Sequence, residues 1–250
     1  MPEGDTIAYA AHRIRPVLEG RVVEELRSPR NPRWPERLAG RAVRSIDTHG
    51  KHLFLRFDGD LVLHSHLGMT GSWRVSAREP HSSRAWVVLR AGQQWVAEFE
   101  GPRLELLTER RTRFDQRLSQ LGPDVLAAEF DSHRFLTRLA GDDPTRPLGD
   151  ALLDQRNVAG IGNIWKAEGC WEAGIDPWRP LGHLTGAEAG SVIESMRPRM
   201  LRSATEGPRT IQPRVYRRNG QPCPRCGERV RAKGQGDANR TTYWCAGCQR

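Results

Sequence analysis

Residues 152–170 read LLDQRNVAGIGNIWKAEGC. Gly160 and Gly162 interrupt two helical patterns, and Asn163 opens the second of them. A helix N-terminus offers free backbone N–H groups and the positive end of the helix dipole, so this turn is suited to bind an anion. Asn163 is equally suited to cap the helix, and the spacing alone favours neither role. The stretch therefore predicts two helices joined by a glycine-containing turn.

Helical patterns surround this turn from about Arg113 onward. Breaks that contain Pro or Gly separate the candidate helices, which cover residues 114–121, 131–140, 147–156, 163–173 and 185–203. A polar link with one glycine and two prolines follows at 206–213. We therefore assign residues 113–210 to a helical domain and residues 211–250 to a separate C-terminal module.

Strand-like segments dominate the chain before residue 112. The clearest pair is HLFLRF at 52–57 and LVLHSHL at 61–67, joined by the hairpin signal Asp58-Gly59-Asp60. Further candidate strands cover residues 85–91, 94–100 and 103–107. Residues 1–112 are therefore predicted to form a two-layer β domain.

A helical pattern precedes these strands at residues 5–18, with an apolar stripe along one side. Asp5 is a candidate cap for this helix, and Pro16 is expected to kink or shorten its last turn. The chain as a whole is therefore predicted to be an α+β protein of several domains.

The C-terminal module contains four of the five cysteines. Cys223 and Cys226 form one C-x2-C pair, Cys245 and Cys248 form another, and eighteen residues separate the pairs. Two such pairs can place four thiolates around one structural Zn²⁺ with no open coordination position. Disulfides are the competing interpretation, which a reducing cytosol disfavours. The polar segment Asn239-Arg240-Thr241-Thr242 lies between the pairs, where a hairpin tip would suit phosphate binding.

The positive charge of the chain is confined to its C-terminal fifth. Residues 197–250 carry 13 Arg and Lys against three acidic residues, a net +10, whereas residues 1–196 sum to −1. This one-sided distribution indicates a polyanion-binding end. No apolar run approaches the ~18 residues of a membrane span, and the start MPEGDTIAYA lacks the features of a signal peptide. We therefore expect a cytosolic protein.

Six short motifs follow one another along the whole chain: MPEG (1–4), GKHL (50–53), HLGMTG (66–71), LGPD (121–124), GIGN (160–163), and then the four-cysteine module with Arg240. In this order they resemble the motifs of the formamidopyrimidine-DNA glycosylase and endonuclease VIII family. The resemblance implies an N-terminal β-sandwich, a helical domain with a helix–two-turn–helix motif, and a zinc ribbon, with DNA between the two halves.

The resemblance also implies the catalytic groups. Removal of Met1 would leave Pro2 with a secondary amine, which can attack C1′ of a damaged nucleotide and form a cationic iminium. Glu3 would move protons at the sugar. Lys51 would donate a proton to the sugar or departing base and contact phosphate, and Arg240 would grip the phosphate beside the lesion and assist δ-elimination.

Three further residues are expected to contact DNA. By resemblance, Met69 would fill the gap that a flipped nucleotide leaves in the stack, and Arg103 would face the orphaned base. Asn163 is the third. Glu105 departs from the pattern, because formamidopyrimidine enzymes carry an aromatic wedge at this position. Four histidines crowd the hairpin region, and we expect them to pack and hydrogen-bond rather than bind a metal: His49, His52, His64 and His66.

The expected function is that of a bifunctional DNA glycosylase and AP lyase that acts on oxidised bases in damaged double-stranded DNA. Pyrimidines are favoured, because the chain starts with MPEGD and lacks the aromatic wedge. An oxidised-purine glycosylase of the same family is the first alternative. A zinc-ribbon DNA-binding protein without catalysis is the second, and it would follow if Met1 were retained. We expect a cytoplasmic, nucleoid-associated monomer with one structural zinc ion.

Overall fold

The computed structural model describes residues 2–80 and 83–250. The chain divides into two compact units, the first ending at Ser119 and the second running from Gln120 to Arg250. The finer division into 1–112, 113–210 and 211–250 stays a prediction. Among the described residues, no helix is long and apolar enough to cross a membrane.

The first unit is a β-sandwich preceded by a helix. Its helices are α1 (Gly4–Leu18), α2 (Trp34–Leu38), α3 (Glu109–Phe114) and α4 (Gln116–Ser119). Its strands are β1 (Glu25–Arg27), β2 (Val43–His49), β3 (His52–Phe57), β4 (Leu61–His66), β5 (Ser72–Ser76), β6 (Ala85–Ala91), β7 (Gln94–Phe99) and β8 (Arg103–Thr108). One antiparallel sheet has the order β1-β6-β7-β5 and the other β2-β3-β4-β8.

The core of the first unit forms between the two sheets and α1. The central strands β3 and β4 are buried at nearly every residue, so the second face of this part of the sheet is covered as well. Ile7, Ala11 and Ile14 lie on one side of α1 and are fully buried in this core. The predicted helix is therefore present, and it continues to Leu18 with Pro16 in its last turn. Asp5 lies inside the first turn, so it is not the cap.

The second unit combines a helical bundle with a two-stranded ribbon. Its helices are α5 (Ser132–Ala140), α6 (Leu148–Ala151), α7 (Asn163–Ala173) and α8 (Gly186–Glu206), and its strands are β9 (Arg231–Gln235) and β10 (Arg240–Trp244). Trp165, Phe135 and Met196 are among the buried side chains of the helical core. A smaller apolar cluster joins α7 to the ribbon through Trp171, and it includes Cys223 and Cys245.

Two predicted helices are wrong in length. The pattern at 147–156 yields only α6, because the chain then makes a turn in which Asp154 accepts hydrogen bonds from Asn157 and Arg156. The pattern at 114–121 is divided between α3 and α4, which break at Asp115. The helix at 163–173 has the predicted bounds, and Gly174 ends it in the left-handed region.

Candidate catalytic and nucleic-acid-binding site

Pro2 and Glu3 lie at the N-terminus of α1. Glu3 is the N-cap residue in an extended conformation, and its carbonyl accepts the backbone N–H of Ile7 at 3.1 Å. The Glu3 side chain is only 1% exposed, whereas Pro2 is half-buried. A carboxylate is favourable at this end of a helix because the dipole there is positive. The helix thus fixes a buried acid directly beside the candidate nucleophile.

Lys51 lies in the two-residue turn that joins β2 to β3. Gly50 has a φ of +57°, which glycine adopts without strain at the first position of such a turn. The strands pair up to His49 and His52 on either side of the turn. Lys51 is therefore presented at a sheet end by a rigid hairpin rather than by a long loop.

Met69 comes shortly after the end of β4, and Arg103 is the first residue of β8. Both lie at the end of the sheet at which β3 begins, directly after the turn that carries Lys51. Met69 is 58% exposed, one of four large apolar side chains among the described residues that are exposed. A Cβ on Gly71 would lie 2.8 Å from the Cα of Gly101, so the turn that carries Met69 packs tightly against the segment before Arg103. Arg103 is half-buried. This part of the candidate DNA surface is thus assembled by close backbone packing.

Glu105 lies within β8, opposite His64 on β4. Its Oε2 atom lies 3.3 Å from His64 Nδ1 and 3.2 Å from Arg117 Nη2. His64 Nε2 in turn lies 2.8 Å from His52 Nδ1. Burial is the main cause that lowers the pKa of His52 to about 2 and that of His64 to about 4. His52 and His64 are therefore neutral, and both are hydrogen-bonded members of the sandwich, as predicted for their packing.

A second buried acid, Glu98, lies between the two sheets. Ser65 Oγ donates to Glu98 Oε1 at 2.7 Å and accepts from Trp73 Nε1 at 3.1 Å. Burial raises the pKa of Glu98 to about 8, because the charged form would lose its hydration. A Cβ on Gly101 would collide with this carboxyl group. Glu98 therefore helps to fix the segment that precedes Arg103.

In the second unit, Asn163 is the first residue of α7, and Gly162 rather than Asn163 is the N-cap. The Asn163 Nδ2 atom donates to the carbonyl of Thr241 at 2.7 Å. The buried Oδ1 atom of Asn163 has no hydrogen-bond partner among the described residues. Arg240, next to Thr241, is exposed at the start of β10. The structure thus brings Asn163 and the ribbon arginine together.

A buried lysine makes a second link between α7 and the ribbon. Lys166 is fully buried, and its Nζ donates to Thr242 Oγ1 at 2.6 Å and to Gln235 Oε1 at 3.3 Å. Gln235 also donates to the carbonyl of Pro177 at 2.8 Å. A buried ammonium group is stable only with such partners. The sequence offered one signal for this residue, namely that the chain has only three lysines.

Glu168, on the same helix, holds the chain that leads into the ribbon. This fully buried carboxylate accepts the backbone N–H groups of Arg214 at 2.7 Å and of Val215 and Tyr216 at 3.0 Å. Arg199 Nη1 lies 3.3 Å away. Sequence analysis missed this clamp, because nothing in the spacing of a single acid shows which distant N–H groups it binds.

The four cysteines of the ribbon form a compact cluster. Their Sγ atoms lie within 4.8 Å of one another, with 3.8 Å between Cys223 and Cys248 and 3.5 Å between Cys226 and Cys245. A Zn–S bond of about 2.3 Å in a tetrahedral site implies Sγ–Sγ distances of about 3.8 Å. All five cysteines are free thiols. The donor set therefore fits a tetrahedral metal ion, and it is the only such group among residues 2–80 and 83–250.

Comparisons with known proteins agree with this architecture. Residues 1–106 match the model of the formamidopyrimidine-DNA glycosylase N-terminal domain, and residues 121–214 match that of the formamidopyrimidine-DNA glycosylase H2TH domain. A relative from Streptomyces coelicolor named probable endonuclease 8 2 is 41% identical, with all of this chain and 94% of the relative covered. A Mycolicibacterium smegmatis relative named DNA-(apurinic or apyrimidinic site) lyase Nei2 is 37% identical, with 100% and 99% covered.

The crystal structure of the MutM (Fpg) protein from Thermus thermophilus is similar with a TM-score of 0.80 and 29% identity, over 99% of this chain and 98% of that one. Family, fold and order of domains thus agree with the motifs in the sequence. The chain belongs to the formamidopyrimidine-DNA glycosylase and endonuclease VIII family, on the side of the relatives named endonuclease 8.

Proposed function

We propose that this protein is a bifunctional DNA glycosylase and AP lyase of base excision repair. The observation that carries the proposal is the buried Glu3 carboxylate at the head of α1, directly beside Pro2, in a chain of this family. The name of the Mycolicibacterium smegmatis relative, an apurinic or apyrimidinic site lyase, supports the second activity. Damaged double-stranded DNA is the proposed partner, and a monomer the proposed functional form.

The proposed reaction begins with Pro2 after removal of Met1. Its secondary amine forms a bond to C1′ of the damaged nucleotide, and the base leaves as its bond to C1′ breaks. The amine then loses its proton and the C1′–O4′ bond breaks, which opens the sugar ring and leaves an iminium at C1′. This cation withdraws electrons, so that the C2′ proton becomes acidic and the 3′ phosphate is expelled by β-elimination. Glu3 assists the opening of the sugar ring and accepts the C2′ proton. Its burial beside the nucleophile suits both transfers.

Lys51 and Arg240 are assigned supporting catalytic roles. Lys51 donates a proton to the sugar or departing base, and its rigid two-residue turn suits a group that must be positioned accurately. Arg240 holds the phosphate beside the lesion as β-elimination gives way to δ-elimination. Exposure of Arg240 at the ribbon tip leaves its guanidinium accessible to DNA.

Three residues are proposed to position the DNA. Met69 fills the gap in the base stack, since its exposed side chain is carried by a tightly packed turn. Arg103, beside that turn, faces the orphaned base. Asn163 orients the ribbon through Thr241 and lies at the N-terminus of α7, where backbone N–H groups attract phosphate.

One structural zinc ion is the proposed cofactor, and its ligands are Cys223, Cys226, Cys245 and Cys248. The thiolates would be held around a closed tetrahedral ion, which contributes folding energy to a ribbon with a small core. Metal analysis should find one zinc ion per chain. Cys245→Ser should weaken DNA binding while the β-sandwich stays folded, and freshly purified active protein without zinc would contradict the assignment.

A panel of oligonucleotides with single lesions tests the proposed activity and its substrate class. We expect excision of oxidised pyrimidines such as thymine glycol and 5-hydroxycytosine, with little dependence on the opposite base, because Met69 provides most of the wedge. Strong excision of 8-oxoguanine opposite cytosine, with thymine glycol untouched, would place the specificity on oxidised purines. Intact mass with Met1 retained, together with inactivity on every lesion, would contradict catalysis altogether.

A further inference from the structure

We infer that Glu105 is a positioning residue that sets the direction of a buried hydrogen-bond chain, Glu105–His64–His52, which ends beside the turn that carries Lys51. The inference rests on the proposed function, because Glu105 would act on the surroundings of Lys51, the proposed proton donor. It assigns a role to Glu105, which stands at the position where the family resemblance leads us to expect an aromatic wedge.

The chain of contacts crosses three adjacent strands. It begins at the half-buried Glu105 carboxylate on β8, continues through His64 on β4, which is 0% exposed, and reaches His52 at the start of β3, which is 8% exposed. The two links measure 3.3 Å and 2.8 Å. His52 directly follows Lys51 in the sequence, so the last ring lies at the base of the Lys51 turn.

The direction of donation follows from the chemistry of the end group. An ionised carboxylate can only accept, so His64 Nδ1 must carry the hydrogen that points at Glu105. A neutral imidazole has one N–H, so His64 Nε2 accepts from His52 Nδ1. The same rule leaves His52 Nε2 without a hydrogen, as an acceptor. Glu105 thereby determines the tautomers of both rings, although it contacts only one of them.

Both rings must be neutral for this argument, and their surroundings keep them so. His52 is faced by His49, His66 and Arg103 besides His64. Arg103 and Arg117 act on His64, and burial is the largest cause that lowers the pKa of each ring. Burial opposes the ionisation of Glu105, but hydrogen bonds from Arg117 and His64 outweigh it and lower the pKa of Glu105.

The tautomer of His52 matters to Lys51 because of charge. The His52 and His66 rings lie 4.8 Å apart, and Lys51 acts electrostatically on His66. An acceptor nitrogen in this cluster favours a nearby ammonium group, whereas an N–H would repel it. Without the carboxylate, the chain can reverse: His64 Nε2–H then donates to His52 Nδ1, and His52 carries its hydrogen on Nε2. Glu105 excludes this reversed state.

The test is the ¹⁵N NMR spectrum of the histidine rings in the full-length protein near neutral pH. We expect the Nδ1–H tautomer at both His52 and His64, whereas free histidine prefers Nε2–H. Glu105→Ala should shift both rings toward Nε2–H, and Glu105→Gln, which keeps the shape of the side chain, should give a mixture. Nε2–H at either ring of the unmodified protein, or unchanged tautomers in Glu105→Ala, would overturn the inference.

Glu109→Ala is the matched control. Glu109 is also a half-buried acid of this unit, but its carboxylate pairs with Arg44 and Arg56 and not with a histidine. Compared with this control, Glu105→Ala should slow oxidised-base excision by about tenfold, which is less than the roughly 100-fold or more that loss of a proton donor itself costs. Cleavage of a preformed abasic site should change by less than about threefold, because it needs no proton for a departing base.

Tautomers that shift without any loss of excision would contradict the positioning role. Failure of the proposed function is distinguishable from this outcome, because an unmodified protein that is inactive on all lesions can still show the predicted ring tautomers. If Glu105→Ala does not fold, Glu105→Gln carries both readouts, and a spectrum and excision rate like those of the unmodified protein would overturn the inference.

Discussion

Glu168→Gln should loosen the attachment of the ribbon to α7. The Glu168 Oε1 atom accepts two backbone N–H groups, which an amide oxygen can still accept. The other atom, Oε2, accepts the Arg214 N–H at 2.7 Å and faces Arg199 at 3.3 Å. In the variant an NH₂ group replaces one carboxylate oxygen and faces the N–H donors of Arg214 and Arg199. Because an NH₂ group cannot accept a hydrogen bond, at least one bond to a charged group, worth about 1.5–3 kcal/mol, is lost.

The buried N–H that loses its acceptor adds about 1–3 kcal/mol, which gives a total of about 2.5–6 kcal/mol. Hydrogen exchange of the amides at 214–216 measures this directly. Because about 1.4 kcal/mol corresponds to a factor of ten, their exchange should accelerate by at least about 60-fold if they exchange through local opening of the clamp.

Glu172→Gln is the control for this experiment. Glu172 lies one turn further along α7, its carboxylate is also 3.3 Å from Arg199, and its side chain is 34% exposed. A partly exposed ion pair contributes less than about 1 kcal/mol, so exchange at 214–216 should change by less than about fivefold. Equal acceleration in the two variants would refute the clamp, because it would show that the shared pairing with Arg199 carries the effect.

Three further predictions concern single side chains. The native Glu98 carboxyl keeps its proton up to a pH of about 8, whereas the unfolded chain loses it near its ordinary pKa of 4.5. The free energy of unfolding should therefore fall as pH rises between these values, and Glu98→Gln should remove this slope in guanidinium titrations; an unchanged slope would contradict the pKa. Met69→Ala should slow excision from duplexes far more than from single strands, and equal losses on matched substrates would exclude a wedge. Arg240→Ala should shift the 3′ ends on gels toward β-elimination and reduce the salt dependence of affinity by about one charge unit, and unchanged products would contradict its role.

The central strands and helices were predictable from the sequence because each has a strong local signal. The hairpin of β3 and β4 has an alternating pattern with Asp58-Gly59-Asp60 at its turn, and α7 is bounded by glycines. The strands that the sequence did not reveal are β1, β2 and β5, and all three are edge strands. Edge strands are often short and polar on one side, so their apolar alternation is weak.

The candidate site was predictable where it depends on sequence spacing or a motif. The cysteine cluster follows from two C-x2-C pairs. Asn163 does begin α7, but the N-cap is Gly162, and the bond of Asn163 to Thr241 could not be predicted from the spacing. The Glu105–His64 contact joins residues 41 positions apart through the register of β4 and β8. Single-sequence patterns do not fix such a register, since it depends on how the whole sheet packs.

Borohydride trapping shows directly whether the Pro2 amine is the nucleophile. The full-length protein is incubated with abasic-site DNA and borohydride, which reduces an iminium to a stable amine, and peptide mapping then locates the adduct. We expect an N-terminal peptide that begins at Pro2 and carries the DNA remnant. An adduct on Lys51, or no covalent complex with a substrate that the protein cleaves, would contradict it.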